Sequence, residues 1–230
     1  MRVSKTPERI RAGQTGAVQT WAVVVAAGGG SRFGAPKQFA RLGVATVLDL
    51  AVGVALDACA GVVVVLPEGA DWAAPSGVKT AVGGATRSAS VRAGLALVPE
   101  EVAVVVVHDA ARPLASPELF ARVIAAVRGG ADAAVPGIAV GDTVKRVRDD
   151  KVVETVARDD LVTVQTPQAF RRAALEAAHA GAGVGTDDAA LVEAAGGTVV
   201  VVEGEPGNLK LTRAGDLELA RALIEGRRRP

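Results

Sequence analysis

Val23-Val24-Val25-Ala26-Ala27-Gly28-Gly29-Gly30-Ser31-Arg32-Phe33-Gly34-Ala35-Pro36-Lys37-Gln38 begins as an apolar, β-branched run and breaks into three glycines. The run reads as a buried strand. The glycines allow close approach of the backbone to a ligand and offer bare N–H groups. Arg32 and Lys37 follow, with Pro36 stiffening the chain before the second cation. A strand that opens into a glycine turn with paired cations is a place to hold a polyphosphate. The GxxxxGK[ST] pattern of a P-loop is absent. Gly28-x-Gly30 starts a dinucleotide fingerprint, but Phe33 stands where its third glycine belongs, which counts against a nicotinamide cofactor.

Outward from this stretch, strand-like and helix-like segments alternate. Thr46 to Ala60 has helical periodicity, and Val62 to Leu66 is a continuous apolar run, the mark of a strand covered on both faces. A short strand follows at Val78 to Val82, then Gly83-Gly84-Ala85-Thr86-Arg87-Ser88-Ala89-Ser90-Val91 at the start of a helix. Ser88 or Ser90 there is either a plain N-cap or, with Arg87, an anion contact. Val102 to Val107 is the most uninterrupted apolar strand, and it runs into His108-Asp109-Ala110-Ala111-Arg112-Pro113. A helix is expected over Pro117 to Arg128 and a strand over Ala131 to Pro136. Thr143 to Val156 reads as a charged hairpin that cannot bury a clean face on its own domain. It is a solvated arm or packs on a second subunit. Val162 to Gln168 reads as a strand stopped by Pro167. Arg171 to Ala180 reads as a helix with His179 on its surface, and Thr186-Asp187-Asp188 as a Thr-capped helix start. A strand at Thr198 to Val202, a short one at Asn208 to Thr212 and a helix over Gly215 to Glu225 complete the pattern. It predicts an α/β fold: a Rossmann-like, mostly parallel sheet with helices on both faces, plus a β-hairpin arm. Residues 1–20 read as a disordered N-terminal extension, 21–230 as one domain, and 141–158 as the arm.

Composition narrows the function. The 230 residues are half hydrophobic yet only 3% aromatic, so the core must be built of Val, Ala and Leu. A formal net charge of +1 argues against a broad nucleic-acid or membrane surface; a basic site must be local. One cysteine, Cys59, excludes an internal disulfide, and with two histidines a structural zinc site is not expected. The first twenty residues lack the apolar centre of a secretory signal, and 44–66 is interrupted by Asp49 and Asp57, so a cytoplasmic protein is expected.

Arg32, Lys37, Arg87, Asp109, Arg112 and Lys210 all fall just beyond strand ends or in glycine turns, where ligands sit in open α/β sheets. Many cations, one well-placed carboxylate and no credible Ser/His or Cys/His pair point to phosphoryl or nucleotidyl transfer. Asp109 is the candidate Mg²⁺ ligand, on the reasoning that a bare carboxylate beside a polyphosphate needs a cation between them.

These residues also carry a resemblance. Ala26-Ala27-Gly28-x-Gly30-x-Arg32 with Pro36-Lys37-Gln38 is similar to the signature of the nucleotidyltransferases that activate sugar or alditol phosphates. Gly83-Gly84-x-x-Arg87-x-x-Ser90-Val91, Val107 to Pro113, Asp142-Thr143-x-Lys145, Thr155-Val156-x-Arg158, Gln165-Thr166-Pro167-Gln168, Thr186-Asp187 and Asn208-x-Lys210-x-Thr212 follow it. Their order resembles the branch of that family that activates methylerythritol phosphate with CTP for isoprenoid synthesis. The resemblance runs from Val23 to the final helix. It implies CTP and an alditol phosphate as substrates, with Arg32, Lys37 and Lys210 neutralising the triphosphate. Ala26, Ala27, Gly28, Gly30, Gly84, Arg87 and Ser90 would form the nucleotide pocket, with cytosine read largely by backbone groups. Asp109 would bind Mg²⁺ and substrate, Arg112 and Thr166 would lie near the alditol, and Thr186 would be a further contact. Thr143 and Arg158 would reach the alditol's phosphate from the partner's arm in a homodimer. Phe33 and Ala85 depart from the usual pattern. Rival readings are a ribitol 5-phosphate or other alditol or sugar-phosphate transferase, a nicotinamide oxidoreductase with Glu68 as its one acidic foothold, and a non-catalytic binding module.

Overall fold

The computed structural model describes residues 19–30, 33–180, 185 and 187–228. Arg32, Thr186 and the expected extension up to Val18 lie outside them. The first strand, β1 (Thr20–Val25), starts at a buried Thr20, inside the span read as extension.

After β1 come two short strands, β2 (Arg41–Leu42) and β3 (Ala45–Thr46), then α1 (Val47–Ala58), β4 (Gly61–Leu66), β5 (Lys79–Val82) and α2 (Arg87–Leu95). β6 (Val104–Asp109), α3 (Pro117–Arg128), β7 (Ala133–Ala139), β8 (Val144–Arg148) and β9 (Lys151–Val156) follow. β10 (Val162–Val164), β11 (Gln168–Arg171), α4 (Arg172–Ala180), α5 (Asp188–Ala194), β12 (Val199–Glu203) and α6 (Asp216–Arg228) complete the chain. β1 pairs in parallel with β4 on one side and β6 on the other, and β4 with β5. β12 pairs in parallel with β7. The order reverses at β1, so the carboxyl ends of β1 and β6 flank the crevice where such sheets hold ligands.

The strand expected to be stopped by Pro167 does end ahead of it, at Val164, but a second strand resumes at Gln168. β10 and β11 both lie antiparallel along β7, on the edge opposite β12, and β11 also pairs antiparallel with β6. Gln165-Thr166-Pro167 between them breaks the ladder, as a residue without an N–H must, and places Thr166 beside the end of β6. The helix starts also differ: Thr86, not Ser88 or Ser90, caps α2, and Asp187 caps α5. Asn208 to Thr212 forms a strap rather than a strand.

The pleat divides the core in two. Ala22, Val24, Val62, Val64, Val104 and Val106 face α1 and α3, where Leu48, Val52, Leu119 and Phe120 are fully buried. Val23, Val63, Val65, Val105 and Val107 face α2, α4 and α5. All six residues of β4 and of β6 are buried, as continuous apolar runs require. β8 and β9 form a separate two-stranded sheet, joined by Asp149 and Asp150 at φ of 46° and 60°.

α2 approaches the sheet closely through Gly94. A Cβ there would stand 2.5 Å from Val23 Cγ1 and 2.8 Å from Val65 Cγ2. Gly94→Ala is expected to cost about 1–3 kcal/mol by overpacking, despite alanine's better helix propensity. A urea midpoint at or above wild type would show that the interface can yield.

Candidate active site

The site grows from the carboxyl ends of β1 and β6. β1 runs into Ala26–Gly30; Ala26 N bonds to Val65 O, and the buried Gln38 side chain donates from Nε2 to Gly28 O at 3.2 Å. A Cβ on Gly28 or Gly29 would meet open space, so their backbone faces a cleft, whereas Gly30 (φ +67°) makes the turn. A Cβ on Gly30 would lie 2.1 Å from Ala35 O, so this glycine shapes the loop and does not line the cleft.

That cleft has a volume of about 340 Å³ and is walled by Ala26 to Gly29, Lys37, Gly84 to Arg87, Ser90, Asp109 and Lys210. Ser90 braces the second glycine turn: its Oγ accepts from Gly84 N at 3.2 Å and donates to Thr86 O at 3.0 Å. A second hollow of about 200 Å³ adjoins it, lined by Arg112, Gln165, Thr166, Gln168 and Asp187. Arg87, Asp109 and Lys210 border both.

Asp109 is the hinge of the charge arrangement. Its Oδ2 accepts from Lys210 Nζ at 2.7 Å, and its Oδ1 from Arg87 Nε at 3.3 Å and Nη2 at 3.2 Å. Burial alone would raise its pKa, but Arg87 and Lys210 hold it well below the usual carboxylate range. The premise of an uncompensated carboxylate is therefore corrected: two cations already neutralise it. Among the described residues no three His, Cys, Asp or Glu side chains gather to hold a metal. Lys37 donates to Leu211 O at 2.7 Å, which ties it to the strap that carries Lys210.

The strap is pinned from below. Leu211 N bonds to Ala111 O, Asn208 Nδ2 donates to Thr166 O at 2.9 Å, and Arg112 Nη1 donates to Asn208 O at 2.8 Å. Thr166 Oγ1 accepts from the Asp109 amide at 3.0 Å and lies 3.3 Å from His108 Nδ1. His108 is fully buried, tilted on Phe120 with ring centroids 5.2 Å apart, and its Nε2 is 3.1 Å from Arg112 O.

Lys37, Lys210, Ala26, Ala27, Gly28, Gly84, Arg87, Ser90, Asp109, Arg112 and Thr166 thus converge on the paired hollows. Thr143 and Arg158 line neither; Arg158 donates to Gly141 O at the base of the arm. His179, expected at the surface, is buried, with Nε2 2.9 Å from Asp188 Oδ1. Asp188, expected only as an acid in a helix's first turn, is fully buried and 2.6 Å from Arg87 Nη1, and Gln165 and Asn208 were not expected at the site. Gln165 and Asn208 stood inside motifs; nothing in the spacing of His179, Asp188 and Arg87 pointed to their contact.

A Rossmann-like sheet with two glycine turns and two lysines around one hollow, and an adjoining polar pocket across a shared carboxylate, defines a nucleotidyltransferase-type site. The family model for IspD, 2-C-methyl-D-erythritol 4-phosphate cytidylyltransferase, matches residues 20–226. The enzyme of that name from Rhodococcus opacus is 45% identical over 89% of this chain and 94% of its own. A bifunctional IspD/IspF enzyme of Clavibacter michiganensis is 46% identical over 92% of this chain, which spans 56% of that longer protein. The crystal structure of the Thermus thermophilus cytidylyltransferase superposes with a TM-score of 0.78 at 39% identity, covering 88% of this chain and 98% of that one. The chain belongs to the 2-C-methyl-D-erythritol 4-phosphate cytidylyltransferase family.

His108 makes this site sensitive to acid. Burial pushes its pKa from 6.5 down to about 4, against the pull of Asp109. Between those values the unfolded chain binds a proton that the folded chain refuses. Stability is therefore full above pH 6.5 and is lost as the pH falls towards 4, by at most about 3 kcal/mol. Urea midpoints at pH 7.5 and 5 should show this slope in wild type and lose most of it in His108→Gln.

Proposed function

We propose that the chain transfers CMP from CTP to 2-C-methyl-D-erythritol 4-phosphate, releasing pyrophosphate. The observation that carries this reading is the convergence of Lys37, Lys210 and the Gly28–Gly29 backbone on one hollow, with the Arg112–Thr166 pocket across Asp109 from it. The triphosphate lies against the glycine turn and the lysines, with Ser90 and Gly84 beside the nucleoside. The acceptor enters the second hollow. One oxygen of its phosphate attacks the α-phosphorus of CTP, a P–O bond forms, and the bond to the β-phosphate breaks with its electrons leaving on pyrophosphate. A phosphate monoester is mostly dianionic at neutral pH, its second pKa being about 6, so no general base is needed. The obstacle is repulsion between two polyanions. Lys37 and Lys210 lower it, and Arg32 is proposed to join them.

Asp109, ionised and at a strand end, suits the single protein ligand of a Mg²⁺ held mainly by phosphates, once Lys210 releases its Oδ2. Mg²⁺ there would supply charge neutralisation to the triphosphate. Thr166 holds the Asp109 backbone and so places this carboxylate. Thr186 remains a proposed acceptor contact.

The arm is read as the contact with a second copy, which would bring Thr143 and Arg158 to that copy's acceptor pocket. Val147, Val152 and Val153 on it are 54%, 60% and 52% exposed, a poor arrangement for a solvated ribbon. Residues 21–230 would then act as one domain with 141–158 as its dimerisation arm. The setting proposed is cytoplasmic: Cys59 is a lone cysteine, and no helix among the described residues is long and apolar enough to cross a membrane.

Lys37→Ala and Lys210→Ala should each lower turnover by roughly 10²–10³, as for other lost charge-stabilising donors. Pyrophosphate release with CTP, Mg²⁺ and each alditol phosphate in turn measures this. Release with ribitol 5-phosphate alone would redirect the assignment. Light scattering should give the mass of a dimer, and a fully active monomer would remove the shared site.

A further inference from the structure

Arg87 is the first residue of α2, a position where the helix dipole favours anions rather than cations. Its reason for being there lies in its partners. Nε and Nη2 grip Asp109 Oδ1, while Nη1 is drawn the other way, to Asp188 Oδ2 at 2.6 Å. Asp188 is the first residue of α5 and has no solvent exposure. Its second oxygen accepts from His179 Nε2 on α4, at 2.9 Å. The His179 side chain is 2% exposed, and its Nδ1 has no hydrogen-bond partner among the described residues. The line Lys210–Asp109–Arg87–Asp188–His179 therefore runs from the boundary of the two hollows into the packing between α4 and α5.

A wholly buried carboxylate is weak evidence for stability, because a well-packed apolar pair of similar volume often serves as well or better. Asp188 does something an apolar residue could not. It fixes the far end of Arg87, so the guanidinium's rotamer entropy is already spent before substrate arrives. Arg87 in turn holds Oδ1 of Asp109, leaving Oδ2 and Lys210 free to exchange partners.

We propose that Asp188 and His179 are positioning residues for Arg87, and that Arg87 keeps the Asp109 carboxylate fixed between the two hollows when Lys210 turns to a substrate phosphate. The inference rests on the nucleotidyl-transfer reading above. Asp188 and His179 touch no substrate; they act through Arg87.

A double-mutant cycle tests this. Pyrophosphate release from CTP and methylerythritol phosphate is measured for wild type, Arg87→Gln, Asp188→Asn and the double variant. Each single change should lower kcat/KM by about 10–10², the scale of a misplaced reacting geometry. The double variant should be no worse than Arg87→Gln within about twofold, since Asp188 has nothing left to position. Losses that multiply would overturn the proposal, because Asp188 would then act independently of Arg87. His179→Leu should show the same coupling to Arg87→Gln, and His179→Gln, which keeps a donor for Asp188, should recover most of what His179→Leu loses. Equal behaviour of the Leu and Gln variants would remove His179 from the device. If Asp188→Asn does not fold, the His179 and Arg87 cycle decides the question. If wild type releases no pyrophosphate with any alditol phosphate, the functional reading fails by itself, and the same cycle is read on CTP affinity by calorimetry.

Discussion

A carboxylate at the end of a buried strand, held between two cations from distant parts of the chain, is the constraint around which this molecule is arranged. Asp109 leaves β6 on the face covered by α2, α4 and α5, so the pleat alone aims it at the start of α2. Arg87 meets it there, and Lys210 comes over the top on a strap with no secondary structure of its own. Removing either cation would leave Asp109 to the other alone, with one of its two carboxylate oxygens unpaired. The start of α2, the strap and the break between β10 and β11 all meet at that group.

The antiparallel insertion shows the same logic in the backbone. A fully parallel sheet would set β7 directly beside β6. Here one interrupted antiparallel strand fills the space between them, and its interruption delivers Thr166 to the Asp109 amide and Gln165 to the 205–208 turn. Asn208 then joins both to the strap. His108, on the opposite face of β6 from Asp109, closes the arrangement beneath Arg112 and Thr166 without facing either hollow. Asp109 thus faces one side of β6, and the buried His108 packs on Phe120 on the other.

The proposed binding of a metal ion and an acceptor depends on what this arrangement leaves open. Asp109 is ionised but occupied, and of its two cations Lys210, at 44% side-chain exposure, is the one a ligand entering from solvent would meet first. Arg87, less exposed and anchored by Asp188, is not the partner that would leave. The inner side of the site is buried and ion-paired and its outer side is open to solvent, which suits the proposed reaction, whose substrates enter and whose pyrophosphate departs.

The continuous apolar runs at β1, β4 and β6 were legible as buried parallel strands, because burial on both faces leaves a run with no polar position. The glycine turns and the lysines and arginines beyond strand ends were legible because phosphate chemistry demands those residue types. The hairpin was legible from two charged, strand-like runs flanking Asp149-Asp150. What only the tertiary structure decided was direction and partnership. Pro167 in the chain marks an interruption equally well at a strand's end or its middle, and only the register with β6 and β7 distinguishes them. Thr86, Ser88 and Ser90 are chemically equivalent caps until the helix takes its first turn. His179, Asp188 and Arg87 lie on three helices, and neither charge nor spacing reveals that their side chains meet. Local chemistry is written residue by residue; a buried ion pair exists only where folding brings its halves within reach.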